Sequence, residues 1–201
     1  SYVIQESFRK MVDAGIDVVV MEVSSQGLKL HRVGGFVFDI GIFTNLEPDH
    51  IGPNEHASFE EYMECKGMLF KQCRLGIVNA DDEHTEKLLA GHTCEIETYG
   101  LSEKADLRAA DMELIKGKGY LGVKYHAKGL VDCPVEIHVP GRFSVYNSLT
   151  AIAVCHHFKV TTENIQSALR AAKVKGRIEI VKVSDDFTLM IDYAHNAMSL
   201  K

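Results

Sequence analysis

The chain has 201 residues, of which 46% are hydrophobic and 25% are charged, an ordinary composition for a globular protein. Its formal net charge of −6 argues against a nucleic-acid partner, because such a partner requires a basic face. No apolar run reaches the ~18–20 residues that a membrane span needs, so we expect no membrane partner either.

The first half of the chain alternates predicted strands and helices. The β-branched run of residues 17–23 is almost continuously apolar, which is typical of a strand buried on both faces. Ser58 begins a helix, with Glu61 in the capping-box position. The predicted helices are residues 5–14, 59–72 and 83–90, and the predicted strands are residues 17–23, 39–43, 75–79 and 95–99. This order predicts a parallel sheet covered by helices.

The pattern changes in the second half. Residues 106–115 and 120–125 flank a hairpin loop, and residues 135–139 alternate apolar with polar side chains. Two helices (143–158 and 161 or 162 to 172) and a strand pair (178–183 with 187–191) follow. The predicted fold class is α/β, a mostly parallel helix-covered sheet with a small antiparallel sheet alongside. The five cysteines form no CxxC pair, which indicates reduced thiols in a cytosolic protein.

Candidate chemistry gathers in residues 44–70 and at the end of the strand before them. Glu22 lies near that strand end, and a carboxylate buried there must be paired, hydrogen-bonded or metal-bound. His50 follows the next predicted strand in a polar loop, and Lys66 lies on an apolar helix face. In α/β proteins, ligands bind outside the carboxyl ends of strands. These residues predict part of a magnesium–phosphate site. The alternatives are a Glu22 side chain in water, an ordinary loop histidine and a lysine that reaches solvent.

Three later residues offer groups suited to a nucleotide. Asn147 has an amide that could read a base edge, Arg177 could hold a phosphate, and Asp192 could accept a hydrogen bond from a ribose. Taken singly, each is better explained as an ordinary surface side chain.

Seven blocks in this order resemble the Mur ligase family, ATP-dependent enzymes that add amino acids to a UDP-linked muramyl peptide in peptidoglycan synthesis. The blocks read MEVSSQGLKLHRV (21–33), TNLEPDH (44–50), EEYMECKGMLF (60–70), VNADD (78–82), PGRFSVYNSLTAIA (140–153), GRIE (176–179) and IDYAHNAMSL (191–200). The likeness points to the branch that acts on UDP-N-acetylmuramoyl-alanyl-glutamate, with diaminopimelate or lysine as the amino acid.

The resemblance implies a role for each candidate residue. Glu22 and His50 resemble ligands, direct or through water, of the magnesium ions on ATP. Lys66 resembles the lysine that reacts with carbon dioxide, and its carbamate would hold the second magnesium ion. The remaining roles are contacts to the UDP-muramyl peptide for Ser24 and Arg32, to adenine for Asn147, to a phosphate for Arg177 and to a ribose for Asp192. The implied reaction phosphorylates the substrate carboxylate, and an incoming amine then displaces the phosphate.

The chain departs from the family pattern in ways that define its expected domain content. Residues 1–191 resemble the central ATP-binding domain without its P-loop portion, and residues 192–201 resemble a stub leading into an absent C-terminal domain. We therefore expect the isolated chain to be inactive. Leu30 and Ser144 replace a glutamine and an asparagine found in relatives, which weakens the substrate and adenine assignments at those points.

Two other functions remain open from the sequence. One is a related ligase of the folylpolyglutamate or cyanophycin synthetase type. The other is a non-catalytic binding module that kept the fold. The amino acid added and the oligomeric state are not predicted.

Overall fold

A computed structural model describes residues 2–48, 51–53, 55–117, 120–176, 178–181, 183–184, 187 and 189–192. Its helices are α1 (Tyr2–Asp13), α2 (Ser25–Lys29), α3 (Phe59–Gly67), α4 (Thr85–Leu88), α5 (Arg142–His157) and α6 (Thr162–Ala171). Its strands are β1 (Phe38–Phe43), β2 (Cys73–Asn79), β3 (Glu95–Gly100), β4 (Leu107–Gly117), β5 (Tyr120–Gly129), β6 (Cys133–Ile137), β7 (Glu179–Val181) and β8 (Leu189–Ile191). No described helix is long and apolar enough to cross a membrane.

Strands β1 to β6 form one sheet in sequence order, and β7 pairs with β8 separately. The pairs β1–β2 and β3–β4 are parallel, whereas β4–β5 and β5–β6 are antiparallel. The predicted fold class is thus confirmed as a helix-bearing mixed sheet. The antiparallel strands that were expected alongside the main sheet continue it, because β4 pairs with both β3 and β5.

The predicted strand at residues 17–23 is wrong. These residues belong to no strand of the described sheet, and Val18, Val19 and Val20 are 49%, 44% and 87% exposed. A strand exists only through hydrogen bonds to a neighbour, and β1 is paired to β2 at the end of the described strand order. The apolar run therefore indicated both a strand and its burial, and the described residues show neither.

The chain divides into two compact units. One comprises residues 1–78 and 82–97, and the other comprises residues 79–81 and 98–201. The first unit is built around a cluster of buried side chains, which are Phe43, Leu46, Tyr62, Phe70, Cys73, Val78 and Leu88. Helix α3 buries one face in this cluster and begins at Ser58, whose Oγ accepts the Glu61 N–H at 3.2 Å. The predicted cap of this helix is confirmed.

The second unit packs α5 on the antiparallel strands. Small and apolar side chains of α5, among them Val145, Leu149 and Ile152, are almost fully buried. The Tyr125 hydroxyl on β5 and the Ser148 hydroxyl on α5 form a buried hydrogen bond of 2.7 Å. Burial raises the pKa of Tyr125, which keeps the phenol neutral inside the unit.

Candidate functional site

Lys66 is held in the first unit on the last turn of α3. Its Nζ lies 5.1 Å from the centroid of the buried Tyr62 ring, one turn earlier on the same helix. Burial lowers the pKa of the Lys66 amine, and the negative charges of Asp82 and Glu22 partly oppose that change. The charges of Asp82 and Glu22 therefore lie within electrostatic reach of Lys66.

Glu22 and Ser24 lie on the segment that enters α2. Both side chains are exposed, so the Glu22 carboxylate is accessible to a ligand. Ser24 is the N-cap of α2, and its Oγ accepts the Gly27 N–H at 3.0 Å. Arg32 is also exposed in the first unit. The reason given for a functional Glu22, burial at a strand end, is wrong, and its role as a metal ligand stays a prediction.

Asp82 was not among the predicted site residues. Its Oδ2 accepts the Leu46 N–H at 2.9 Å, and its Oδ1 accepts the His84 N–H at 2.9 Å. The carboxylate therefore fixes the start of the loop that follows β1 while adding negative charge near Lys66. The helix after it is shorter than predicted, running from Thr85 to Leu88. The acidic pair in VNADD was the sequence signal for this residue.

A second polar group, also missed from the sequence, lies at the far end of the same loop. The His56 side chain is fully buried, and its Nε2 lies 2.8 Å from the Ser25 Oγ on α2. Glu61 on α3 accepts the Ala57 N–H at 2.7 Å and pairs with Lys29 of α2 at 2.7 Å. The loop between β1 and α3 is thus fixed at one end by Asp82 and at the other by Ser25.

The donor groups of the first unit suit a hard cation. Magnesium prefers oxygen ligands, and Glu22 offers a solvent-accessible carboxylate beside Lys66. Within the part of the chain that is described, no three His, Cys, Asp or Glu side chains come together as a ready metal cluster. Asp49 and the predicted ligand His50 lie outside the described residues.

The predicted nucleotide contacts belong to the second unit. Asn147 is exposed on α5, and Asp192 is exposed immediately after β8. Arg177 lies outside the described residues. Helix α5 begins after Gly141, whose φ of +98° and close approach to the Phe143 ring favour glycine at that point. Ser144 donates a hydrogen bond to the Pro140 carbonyl at 2.9 Å, which gives its hydroxyl a structural use at the start of the helix.

Asp81 ties the start of α5 to the loop after β3 within the second unit. Its carboxylate accepts N–H groups from Leu101 at 2.5 Å and Ser102 at 3.2 Å, and the Tyr146 hydroxyl at 2.9 Å. Burial and then the bond to Asp81 raise the pKa of Tyr146. Asn147 follows Tyr146 directly, so this anchor fixes the backbone next to the candidate adenine contact.

Comparison with known proteins gives a consistent result. The family model described as Mur ligase middle domain matches residues 1–155. The chain therefore belongs to the Mur ligase middle-domain family, and the resemblance carried by the seven sequence blocks is confirmed.

Relatives and solved structures add detail. The chain is 39% identical over 201 residues to UDP-N-acetylmuramoyl-L-alanyl-D-glutamate--2,6-diaminopimelate ligase 1 of Clostridium acetobutylicum, covering 98% of this chain and 41% of that protein. It is 39% identical over 195 residues to the enzyme of that name from Caldanaerobacter subterraneus, covering 96% of this chain and 39% of that protein.

Among solved structures, a UDP-N-acetylmuramoyl-L-alanyl-D-glutamate--2,6-diaminopimelate ligase aligns with a TM-score of 0.72 at 25% identity, over 89% of this chain and 37% of that one. The UDP-N-acetylmuramate-alanine ligase of Thermotoga maritima aligns with a TM-score of 0.65 at 21% identity, over 81% of this chain and 36% of that one. The latter likeness shows the fold. The chain spans about two fifths of the length of its curated relatives, which have 41% and 39% of their lengths covered.

Proposed function

We propose that the protein containing this chain is an ATP-dependent ligase that adds 2,6-diaminopimelate to UDP-N-acetylmuramoyl-L-alanyl-D-glutamate. The observation that carries the proposal is Lys66, an amine with a lowered pKa set beside Glu22 in a Mur ligase middle domain. The choice of diaminopimelate over lysine follows the names of the relatives at 39% identity.

The residues of the first unit would hold magnesium and the phosphates of ATP. Magnesium, when bound, neutralises phosphate charge as the phosphoryl group moves to the substrate carboxylate. Glu22 would supply one oxygen ligand and His50 a second contact. Ser24 and Arg32 would bind the UDP-muramyl peptide. The protein's work is mainly to position groups, since an amine then attacks the acyl phosphate without covalent help from a side chain.

Lys66 would provide a further oxygen ligand as a carbamate. A lowered pKa leaves more of the amine neutral, and only the neutral amine can attack carbon dioxide. The new N–C bond converts one oxygen of carbon dioxide into a carboxylate oxygen, and the nitrogen releases a proton to water. The product carries a negative charge where the ammonium stood, which suits a magnesium ligand.

The nucleotide contacts would come from the second unit. Asn147 would bind adenine, Arg177 a phosphate and Asp192 the ribose. The hydrogen bonds of Asp81 to Tyr146 and to the loop after β3 support the first assignment by fixing the helix turn that bears Asn147.

A coupled assay of the full-length protein tests the proposal. The assay contains ATP, Mg²⁺, the UDP-dipeptide and either diaminopimelate or lysine, and it measures phosphate release and product mass. We expect turnover with diaminopimelate and a fall of about 100-fold for Lys66→Ala, because a charge-stabilising group is lost. Lys71→Ala changes an exposed lysine just beyond α3 and should retain activity. A carbon-13 carbamate signal that is present in the wild type and absent from Lys66→Ala tests the modification separately.

Other results would select another function. Turnover with a folate substrate in place of the UDP-dipeptide would favour a folylpolyglutamate-type ligase. Nucleotide binding without phosphate release for any amino acid would favour a non-catalytic module. The 201-residue chain alone should show no turnover, and activity from it would contradict the expected domain content.

A further inference from the structure

A buried chain of side chains connects the two segments that carry Glu22 and Lys66. Ser25 begins α2 three residues after Glu22 and is only 6% exposed. The Ser25 Oγ lies 2.8 Å from Nε2 of His56, a side chain with no exposure at all. The His56 ring lies against the Tyr62 ring, with centroids 5.2 Å apart and planes tilted by 40°.

Tyr62 completes the connection to Lys66. Its ring is 5% exposed, and the Lys66 Nζ lies 5.1 Å from the ring centroid. The three connecting side chains therefore lie in the interior of the first unit, where close packing restricts each to one position. They are Ser25, His56 and Tyr62. Moving the His56 ring would displace both the start of α2 and the aromatic surface under Lys66.

Glu61 reinforces this connection from outside. It accepts the Ala57 N–H next to His56 and pairs with Lys29 on α2, and its Oε2 lies 3.9 Å from the His56 Nδ1. The main chain of His56 is also fixed, because its carbonyl accepts the Gly52 N–H at 3.1 Å. Both the ring and the backbone of His56 are therefore fixed, as they must be if His56 is to fix the positions of Ser25 and Tyr62.

We propose that His56 is a positioning residue for the metal–phosphate site, setting Glu22 through Ser25 and Lys66 through Tyr62. The inference rests on the proposed function for the identity of the site. His56 is distinct from the predicted ligand His50, since its ring is buried and bonded to Ser25. Groups that hydrogen-bond directly to metal ligands change metal affinity by 10–100-fold when removed. His56 acts through Ser25 and Tyr62, so its effect should lie at the lower end of that range.

Binding of Mn²⁺ in place of Mg²⁺ tests this role directly. The full-length protein is titrated with Mn²⁺ in the presence of a non-hydrolysable ATP analogue, and free Mn²⁺ is measured by electron paramagnetic resonance. His56→Phe keeps an aromatic ring but removes the bond to Ser25, and Ser25→Ala removes the same bond from the other side. We expect each variant to weaken Mn²⁺ binding about tenfold. His56→Gln, which can return an amide N–H to Ser25, should recover most of the affinity.

His92→Phe is the matched control, because His92 is an exposed histidine of the same unit. It should bind Mn²⁺ as the wild type does. A purely structural His56 would lower the melting temperature while leaving the affinity of folded protein unchanged, and that result overturns the proposal. If His56→Phe fails to fold, Ser25→Ala decides the matter.

Ligase activity measured on the same samples separates the two proposals. If the wild type shows no ligase turnover but the His56 and Ser25 variants bind Mn²⁺ more weakly than it does, the proposed function is refuted and the positioning role is supported. If the wild type shows turnover and all variants bind Mn²⁺ as tightly as it does, the proposed function is supported and the positioning role is refuted. A wild type that does not bind Mn²⁺ overturns the positioning role outright.

Discussion

Lys66 should lower the free energy of unfolding, for a reason that follows from its pKa. Burial lowers the pKa of the amine, so the folded state disfavours the charged form. The stability contribution of such a group is present above its unfolded pKa and is lost as the pH falls through the folded pKa. At pH 7, a charged Lys66 should therefore weaken the fold.

We expect Lys66→Met to raise the free energy of unfolding at pH 7 by roughly 0.5–2 kcal/mol while lowering ligase activity about 100-fold. The gain should shrink as the pH rises through the folded pKa and should vanish above the ordinary lysine pKa of 10.5, where the amine is neutral in both states. Urea unfolding in buffer depleted of carbon dioxide measures it. Lys71→Met, at an exposed lysine, should stay within about 0.5 kcal/mol of the wild type. A Lys66→Met protein that is less stable at pH 7 would contradict the argument.

The sequence named Glu22 and Lys66 as candidate site residues but not the residues that support them. Glu22 and Lys66 were identified from family motifs, and the structure places their charges within reach of each other. Ser25 and His56 were missed because their bond joins positions 31 residues apart, and Asp82 meets Leu46 across 36 residues. No local spacing encodes such pairs. All the site assignments stay predictions: Glu22, Ser24, Arg32, His50, Lys66, Asn147, Arg177 and Asp192.

Among the elements, α3 depends on a close contact at its C-terminal end. An added Cβ on Gly67 would lie 2.5 Å from the carbonyl oxygen of Leu88, at the end of α4. Glycine to alanine in a helix is ordinarily stabilising by about 0.5–1 kcal/mol. At Gly67, however, an alanine would force the backbone of α4 to move, so the substitution should destabilise the fold.

We expect Gly67→Ala to lower the free energy of unfolding by about 1–3 kcal/mol, the usual cost of overpacking. Equilibrium urea denaturation followed by circular dichroism provides the measurement. Glu64→Ala, at an exposed position of the same helix, should differ from the wild type by less than about 0.5 kcal/mol. Equal stability of Gly67→Ala and the wild type would show that α4 shifts freely.

Element prediction succeeded where the signal was local. The strands expected at residues 39–43, 75–79 and 95–99 lie within β1, β2 and β3, because each apolar run is short and bounded by turns. The helix expected to reach residue 90 ends at Leu88, and Gly91 follows with a φ of +72°. The run at residues 17–23 failed because strand formation depends on a partner that sequence pattern does not reveal.

At the scale of the whole molecule, the sheet combines two kinds of pairing that the sequence separated. The pattern of residues 106–139 correctly predicted antiparallel strands. It could not show that β4 also pairs in parallel with β3, through Tyr99 with Leu107 and Gly100 with Arg108. These two residue pairs join the antiparallel strands to the parallel ones in a single sheet. The sequence pattern of a hairpin gives no information about such pairing with a third strand.

The exposed apolar run at residues 18–20 has a consequence for the chain in solution. Val20 is 87% exposed, and neighbouring Val18 and Val19 are about half exposed at 49% and 44%. Consecutive exposed β-branched side chains offer apolar surface to another molecule. We therefore expect the 201-residue chain to self-associate as its concentration rises.

Sedimentation velocity at several protein concentrations measures this association, and Val20→Lys should reduce it. Leu114→Lys is the matched control, because Leu114 is 81% exposed on β4 in the other unit and both variants add one positive charge. The charge lowers the magnitude of the net charge equally in both proteins, so any change in colloidal repulsion cancels. The two variants therefore differ in which exposed apolar side chain is lost, Val20 or Leu114. A wild-type chain that stays monomeric at every concentration, or an equal effect of the two variants, would show that residues 18–20 do not drive association.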